Sequence, residues 1–201
     1  MKTFEQLILE ESASEKILYF DCEFSGLHQN TTLISIGFVT EDGKSFYAEL
    51  VDFDKDQIND WIKDNVISNL KYVSLEKNIE PFIKKDVNEF EAVGDKEFIK
   101  DAFWQWIKML KYKNIRMVSD CLAYDWVLFN EYFAYEKDGM KDLKNINYIP
   151  IDICTMFYLA KIDPDINREE FVGADKGQKH NSLFDAQIIK KCHLKLKGEE
   201  V

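Results

Sequence analysis

Between residues 17 and 50 the apolar positions come in short, nearly continuous blocks, ILYF, LISIGFVT and KSFYAEL, separated by polar or turn-forming residues. Blocks of that length bounded by turn signals read as strands, and Asp42-Gly43 supplies a hairpin turn between the second and third. The opening is therefore an antiparallel meander. Further along, the period changes. Ile58, Trp61, Ile62 and Val66 recur at helical spacing within residues 57–70, as do Phe98, Ala102, Trp106, Ile107 and Leu110 within 95–111, so both stretches read as amphipathic helices. IRMVS and YIPID are further strands, and DWVLFNEYFAYE, ICTMFYLAK and SLFDAQIIKKCHLKL further helices. Hairpin strands followed by alternating helices and strands predict an α/β domain with a mixed central sheet flanked by helices. Residues 1–201 fit one such domain, with no repeat, low-complexity tract or Pro/Gly-rich linker to divide them. The longest polar stretch without a period, DPDINREEFVGADKGQK at 163–179, ends at His180 and reads as a functional or disordered loop.

One feature of the first strand runs against folding logic. Ile17, Leu18, Tyr19 and Phe20 lead into Asp21 and Glu23, and residues two apart in a strand point to the same face. Two carboxylates side by side repel each other unless a cation lies between them.

Composition narrows the field. Hydrophobic residues make up 46% of the chain and charged residues 31%, ordinary values for a globular protein, which sets disorder aside. The four cysteines, Cys22, Cys121, Cys154 and Cys192, are widely spaced with no C-x-x-C pair, so they suggest neither a zinc site nor a disulfide framework and suit a reducing compartment. The N-terminal MKTFEQLILEESASEK turns acidic where a signal peptide would stay apolar, and no apolar run is long enough to span a membrane, which together predict a cytoplasmic protein without membrane partners. A net charge of −11 argues against binding long duplexes by general electrostatic attraction. It leaves room for a nuclease whose bound cations supply local positive charge. Lys108, Lys111, Lys113 and Arg116 form one basic cluster and Lys190, Lys191, Lys195 and Lys197 another; each reads as a solvated helix face, with a substrate-facing role left open.

Two further acids have plain structural readings. In HNSLFDA, Ser182 followed by Asp185 matches a capping box, and in AYDWVLF, Asp125 opens an apolar helix, where a carboxylate favours the positive end of the dipole. Taken in order, however, the acid-x-acid of DCEFSGL, the acid of YDW and the His-x4-Asp of HNSLFDA resemble the three motifs of the DEDDh 3′–5′ exonuclease superfamily, which has an RNase H-like fold. The wording of DCEFSGL is similar to oligoribonuclease; LISIGFV, DWIKDNVISNL and AYDWVLF are more similar to a bacterial and phage 3′–5′ exoribonuclease branch. The resemblance spans Asp21 to Asp185, most of the chain.

That resemblance implies an enzyme that hydrolyses phosphodiester bonds of single-stranded RNA from the 3′ end, releasing nucleoside 5′-monophosphates. Asp21, Glu23, Asp125 and Asp185 would hold two divalent ions, Mg²⁺ or Mn²⁺, which prefer oxygen ligands. His180, with an unperturbed pKa of about 6.5, would be the general base. VSDCLAYDW also offers Asp120; Asp125 fits the second motif better because it opens the helix. Phe24, Gly26 and Leu27 would handle the terminal nucleotides, with Phe24 and Leu27 equally readable as core. Asn181 reads as a helix cap, with a substrate contact as the alternative. Homodimers occur among the relatives, yet nothing in the chain marks an interface. Two alternatives stay open: a DNA exonuclease of the same fold, since no residue recognisably reads the 2′-OH, and a catalytically idle nucleic-acid-binding module.

Overall fold

The structure, a computed structural model, describes residues 15–76, 78–134, 143–174, 177 and 179–199. The N-terminal segment and the end of the helix expected to reach Glu136 lie outside them. In chain order the elements are β1 (Glu15–Phe24), β2 (Leu33–Thr40), β3 (Ser45–Leu50), α1 (Asp60–Asn65), β4 (Phe82–Lys85), β5 (Glu89–Gly94), α2 (Lys96–Leu110), β6 (Asn114–Ser119), α3 (Leu122–Phe129), β7 (Ile151–Asp152), α4 (Ile153–Leu159), α5 (Arg168–Val172) and α6 (Ser182–Leu196). The strands form one mixed seven-stranded sheet in the order β4-β5-β3-β2-β1-β6-β7. β2 is antiparallel to both β1 and β3, while β6 runs parallel to β1. This is the α/β sandwich with a mixed central sheet that the pattern predicted.

The opening meander forms as read. The β2–β3 turn closes through Gly43 N–H to Thr40 O at 3.1 Å, with Gly43 at a φ of 85°, a conformation glycine adopts at no steric cost. Alternation along β1 then sorts its side chains. Leu18, Phe20 and Cys22 enter a core shared with α2 and α3, in which Phe38 sits 4.8 Å from Phe103 and 5.8 Å from Phe20 between ring centroids. Each fully buried Phe in this layer contributes roughly 1.5–3 kcal/mol by removing its surface from water. Tyr19 points the other way, into a second core with Ile153, Phe157 and Ile189 beneath α4 and α6. Asp21 and Glu23 follow Tyr19 on that second face.

α6 reaches these acids because β2 makes room for it. Gly37 pairs with Asp21 and Ser35 with Glu23 in the β1–β2 register. A Cβ built on Gly37 would lie 2.4 Å from the backbone of Ser182 and Leu183, so the first turn of α6 rests on bare backbone here. One register step away, Ser35 and Ser182 share a hydrogen bond of 3.0 Å. A methyl group at this contact must push backbone aside. Gly37→Ala is expected to destabilise the fold by about 1–3 kcal/mol, the usual cost of overpacking, and to draw Asp185 away from β1. Urea unfolding with a midpoint equal to that of the parent would overturn this account of the α6 seat.

Several expectations need correction. The helix read over 57–70 is broken: a 3₁₀ turn at Lys55–Gln57, then α1 capped by Asn59, then a second 3₁₀ turn at Ile67–Asn69. YIPID contributes only Ile151 and Asp152 to a strand. The stretch 163–179 contains α5, capped by Asn167 accepting from Glu170 N–H. β4 and β5 were not foreseen. The basic clusters, read as solvated faces, are exposed at Lys108, Lys111, Lys113, Lys191, Lys195 and Lys197, while Arg116 and Lys190 are half-buried. Arg116 pairs with Glu15 at the start of β1, the end away from Asp21 and Glu23. Lys190 donates to the carbonyls of Thr40 and Glu41 at 3.0 and 2.8 Å, leading into the β2–β3 turn. Among the described residues no helix is long and apolar enough to cross a membrane.

Candidate active site

The C-terminal end of β1, the entrances to α3 and α6, α1 and the segment around α5 enclose one cleft of about 730 Å³. Asp21, Glu23, Asp125, His180 and Asp185 all line it. Residues scattered from 21 to 185 thus meet in one place, each delivered by a different local device.

Glu23 is 8% exposed and Asp125 4% exposed; Asp21 and Asp185 keep partial contact with solvent. Asp125 sits in the first turn of α3 and accepts a 2.5 Å hydrogen bond from Ser119 Oγ at the end of β6. Asp185 sits in the first turn of α6, where its Oδ2 accepts from the backbone N–H of His180 at 2.8 Å. His180 is left-handed, at a φ of 66°, and that turn of the chain allows its amide to face a side chain five residues on. The cap of α6 is Asn181, whose side chain accepts from Phe184 N–H at 3.2 Å. Ser182, the alternative capping residue, is instead buried against Ser35.

The acids are crowded enough to hold protons. Asp21 is raised well above the usual carboxylate range by burial first and then by Asp125, Asp185 and Glu23. Glu23 is raised well above its usual value by burial, Asp185 and Asp125. Burial pushes Asp125 up to about 8 against the opposing pull of Ser119, and pushes Asp185 up to about 7 against the His180 amide. Arg168 lines the same cleft but does not relieve them. Its guanidinium is forked onto Asp120, Nε to Oδ2 at 2.7 Å and Nη2 to Oδ1 at 3.0 Å. Asp120 therefore has an arginine of its own, while the four other acids share a charge deficit that external cations can fill. Donor atoms of Glu23, His180 and Asp185 all lie within 4.8 Å of one another. Two of these donors are carboxylate oxygens, which suit a hard divalent ion, and the third is an imidazole nitrogen.

The aromatic walls include residues that the motifs did not single out. Phe24 is half-buried and stacks on Tyr124 of α3 with centroids 5.5 Å apart and an angle of 19°. Leu27 stands 76% exposed at the cleft mouth. Trp61 of α1 is 57% exposed and meets the His180 ring edge-on at 5.2 Å. Gly26 lies in the turn after β1, its N–H donating to Thr31 Oγ1 at 3.0 Å. The His180 imidazole is lowered from its ordinary pKa by burial and by Lys179, which favours its neutral, proton-accepting form.

No protein-family model matches the chain. Two curated proteins do, both from Mycobacterium tuberculosis: the 3′-5′ exoribonuclease Rv2179c of strain H37Rv and the 3′-5′ exoribonuclease MT2234.1 of strain CDC 1551. Each is 29% identical over 90 residues, which is 44% of this chain and 52% of the relative. The chain is similar to proteins named 3′-5′ exoribonucleases. It spans about half the length of these relatives. Among solved structures, the catalytic unit of Neurospora crassa Pan2, which comprises protease and nuclease domains, aligns with 91% of this chain and 28% of its own, at a TM-score of 0.33 and 12% identity.

Proposed function

We propose that this protein is a divalent-metal-dependent 3′–5′ exoribonuclease of the DEDDh type that shortens single-stranded RNA one nucleotide at a time. The convergence of four acids and one histidine in a single cleft carries this reading. The similarity to proteins named 3′-5′ exoribonucleases supports it. Asp21, Glu23, Asp125 and Asp185 are the residues that would hold Mg²⁺ or Mn²⁺, and when bound the cations supply charge stabilisation of the phosphoryl centre and of the leaving oxygen.

The remaining work falls to the chain. Phe24, Tyr124, Leu27 and Trp61 offer ring faces and apolar edges around the cleft mouth, and base stacking on such surfaces tolerates any sequence. Gly26 brings backbone to the cleft wall with no side chain in front of it. His180 accepts the proton that the attacking water must lose, and its edge contact with Trp61 fixes the plane of the ring. Ser119 and the His180 amide fix the carboxylates of Asp125 and Asp185. The negative charge of the chain, −11 in total, disfavours long duplexes and leaves short or single-stranded ends as substrate.

The direct test is digestion of matched 5′-labelled RNA and DNA single strands with Mg²⁺ or Mn²⁺, alongside a chelator. A metal-dependent ladder shortening from the 3′ end of RNA is the expected result. Preferential DNA digestion would replace RNA by DNA in the proposal, and no ladder on either strand would overturn it. His180→Ala is expected to slow hydrolysis by about 10²–10⁴-fold, the range for loss of a general base, with divalent-cation binding retained. Loss of cation binding in calorimetry would recast His180 as a ligand.

A further inference from the structure

On the wall of the cleft, among lining residues that include Asp120, Cys121 and Arg168, lies a second constellation that the proposed hydrolysis does not use. Cys121 and Cys154 are free thiols with Sγ atoms 3.6 Å apart, although 33 residues separate them. Cys121 is exposed, whereas Cys22 and Cys192 are buried. Cys121 occupies the N-cap of α3 with left-handed backbone, φ 49° and ψ 47°, yet its side chain makes no capping hydrogen bond. That conformation is costly for a residue with a Cβ, and a residue with an oxygen would usually fill the position to cap the helix. Here the sulfur faces the other thiol instead.

Cys154 is set in a polar frame. Its S–H donates to Asp120 Oδ1 at 3.0 Å, and Arg168 Nη2 donates to its sulfur at 3.3 Å. Asp120, Cys121 and Cys154 also have the spacing of a metal cluster, but the guanidinium forked onto Asp120 occupies that carboxylate and repels a cation. A pair of thiols that needs no cation fits the frame better.

We infer that Cys121 and Cys154 are a redox-active pair that closes reversibly into a disulfide on contact with a hydroperoxide. Closing requires the sulfurs to approach from 3.6 Å to about 2.05 Å, a shift within reach of side-chain rotation and small backbone adjustment. The exposed Cys121 thiolate attacks the peroxide, cleaving its O–O bond to give a sulfenic acid and one alcohol. The alcohol leaves with the proton that Cys121 gave up, and the Cys154 sulfur then displaces the hydroxyl, which leaves as water with the Cys154 proton relayed through Asp120. Two thiols and one hydroperoxide become one disulfide, one alcohol and one water, two electrons passing from sulfur to oxygen. The bond ties the entrance of α3 to the first turn of α4. Because α3 carries Tyr124 and Asp125, closure is expected to disturb the cleft wall and slow turnover by about tenfold. That effect on turnover rests on the nuclease reading; the bond itself does not.

The folded full-length protein, treated with hydrogen peroxide and quenched with a thiol-blocking reagent, tests this directly. Free thiols are expected to fall from four to two, peptide mass mapping to show Cys121 joined to Cys154, and dithiothreitol to restore all four. Cys121→Ser and Cys154→Ser should each lose the cross-link and the slowing by peroxide. Four surviving thiols, a bond involving Cys22 or Cys192, or a Cys121 oxidised without joining Cys154 would overturn the inference. So would stoichiometric zinc binding that both serine variants lose. A cross-linked protein with unchanged turnover would refute the switch. A reduced protein with no turnover would refute the nuclease reading while leaving the cross-link readable.

Discussion

Replacing Asp21 with asparagine is expected to slow the proposed RNA hydrolysis by roughly 10³-fold, the scale on which a preorganised electrostatic contact acts in catalysis, while making the metal-free protein more stable. The two effects have one cause. Asp21 is the acid that feels most of the others, raised by burial and then by Asp125, Asp185, Glu23 and Asp120 in turn. Its β1 position opposite Gly37 places it beneath the start of α6. An amide of nearly the same shape keeps the packing and removes an acid whose ionisation the burial and the neighbouring carboxylates oppose. Relief of about 1 kcal/mol would raise the melting temperature by about 2–4 °C in a chain of this size. Divalent cations should then stabilise the variant less than the parent. Paired melts of both proteins, with chelator and with excess Mg²⁺, separate this from an ordinary destabilising substitution. A variant that hydrolyses RNA at the parental rate would remove Asp21 from the proposed metal site.

Some of this arrangement could be read directly from the residues. Side-chain alternation on β1 was enough to place Asp21 and Glu23 on one face, because period-2 geometry depends on nothing beyond the strand. One helix entrance was likewise local: Asn181 caps its helix by accepting from an N–H group three residues ahead. β4 and β5 escaped because FIKK and EFEAVG interrupt apolar positions with charge. The reason appears only in three dimensions. Glu91, 5% exposed, is paired with Lys71 and Lys84 and bonded by Tyr72, partners contributed by another segment and by the neighbouring strand. Once neutralised in this way, a glutamate can lie in a strand otherwise read as too polar.

The aromatic walls were illegible for a different reason. Trp61 shares its helical spacing with Ile58, Ile62 and Val66, so periodicity assigns it to the buried face, yet Ile62 is 4% exposed and Trp61 57%. A tryptophan at the margin of an apolar stripe belongs to the core or to a cleft depending on what packs opposite. Here that is His180, more than a hundred residues away in sequence. Arg168 shows the same limit. Its pairing with Asp120 assigns one of the two acids of VSDCLAYDW to an ion pair, whereas the sequence offers the two without their partners.

The crowding of carboxylates also predicts an inverted pH dependence. For Asp125, pushed up to about 8, and Asp185, pushed up to about 7, the folded value lies above the unfolded one of about 3.9. Between the two values the folded chain keeps protons that the unfolded chain has released, so stability falls as pH rises across this window. In chelator, the melting temperature is therefore expected to drop by about 5–10 °C between pH 5 and pH 8. Divalent cations bind the deprotonated acids and compete with protons for them, so excess Mg²⁺ should raise the melting temperature more at pH 8 than at pH 5. Asp125→Asn and Asp185→Asn should each flatten the chelator curve, since an amide does not titrate. A chelator curve that rises with pH, or a response to Mg²⁺ equal at both pH values, would mean that the four acids are neutralised from within the protein. The charge deficit that opens this cleft to metal would then be gone, and with it the physical reason for placing two acids side by side on β1.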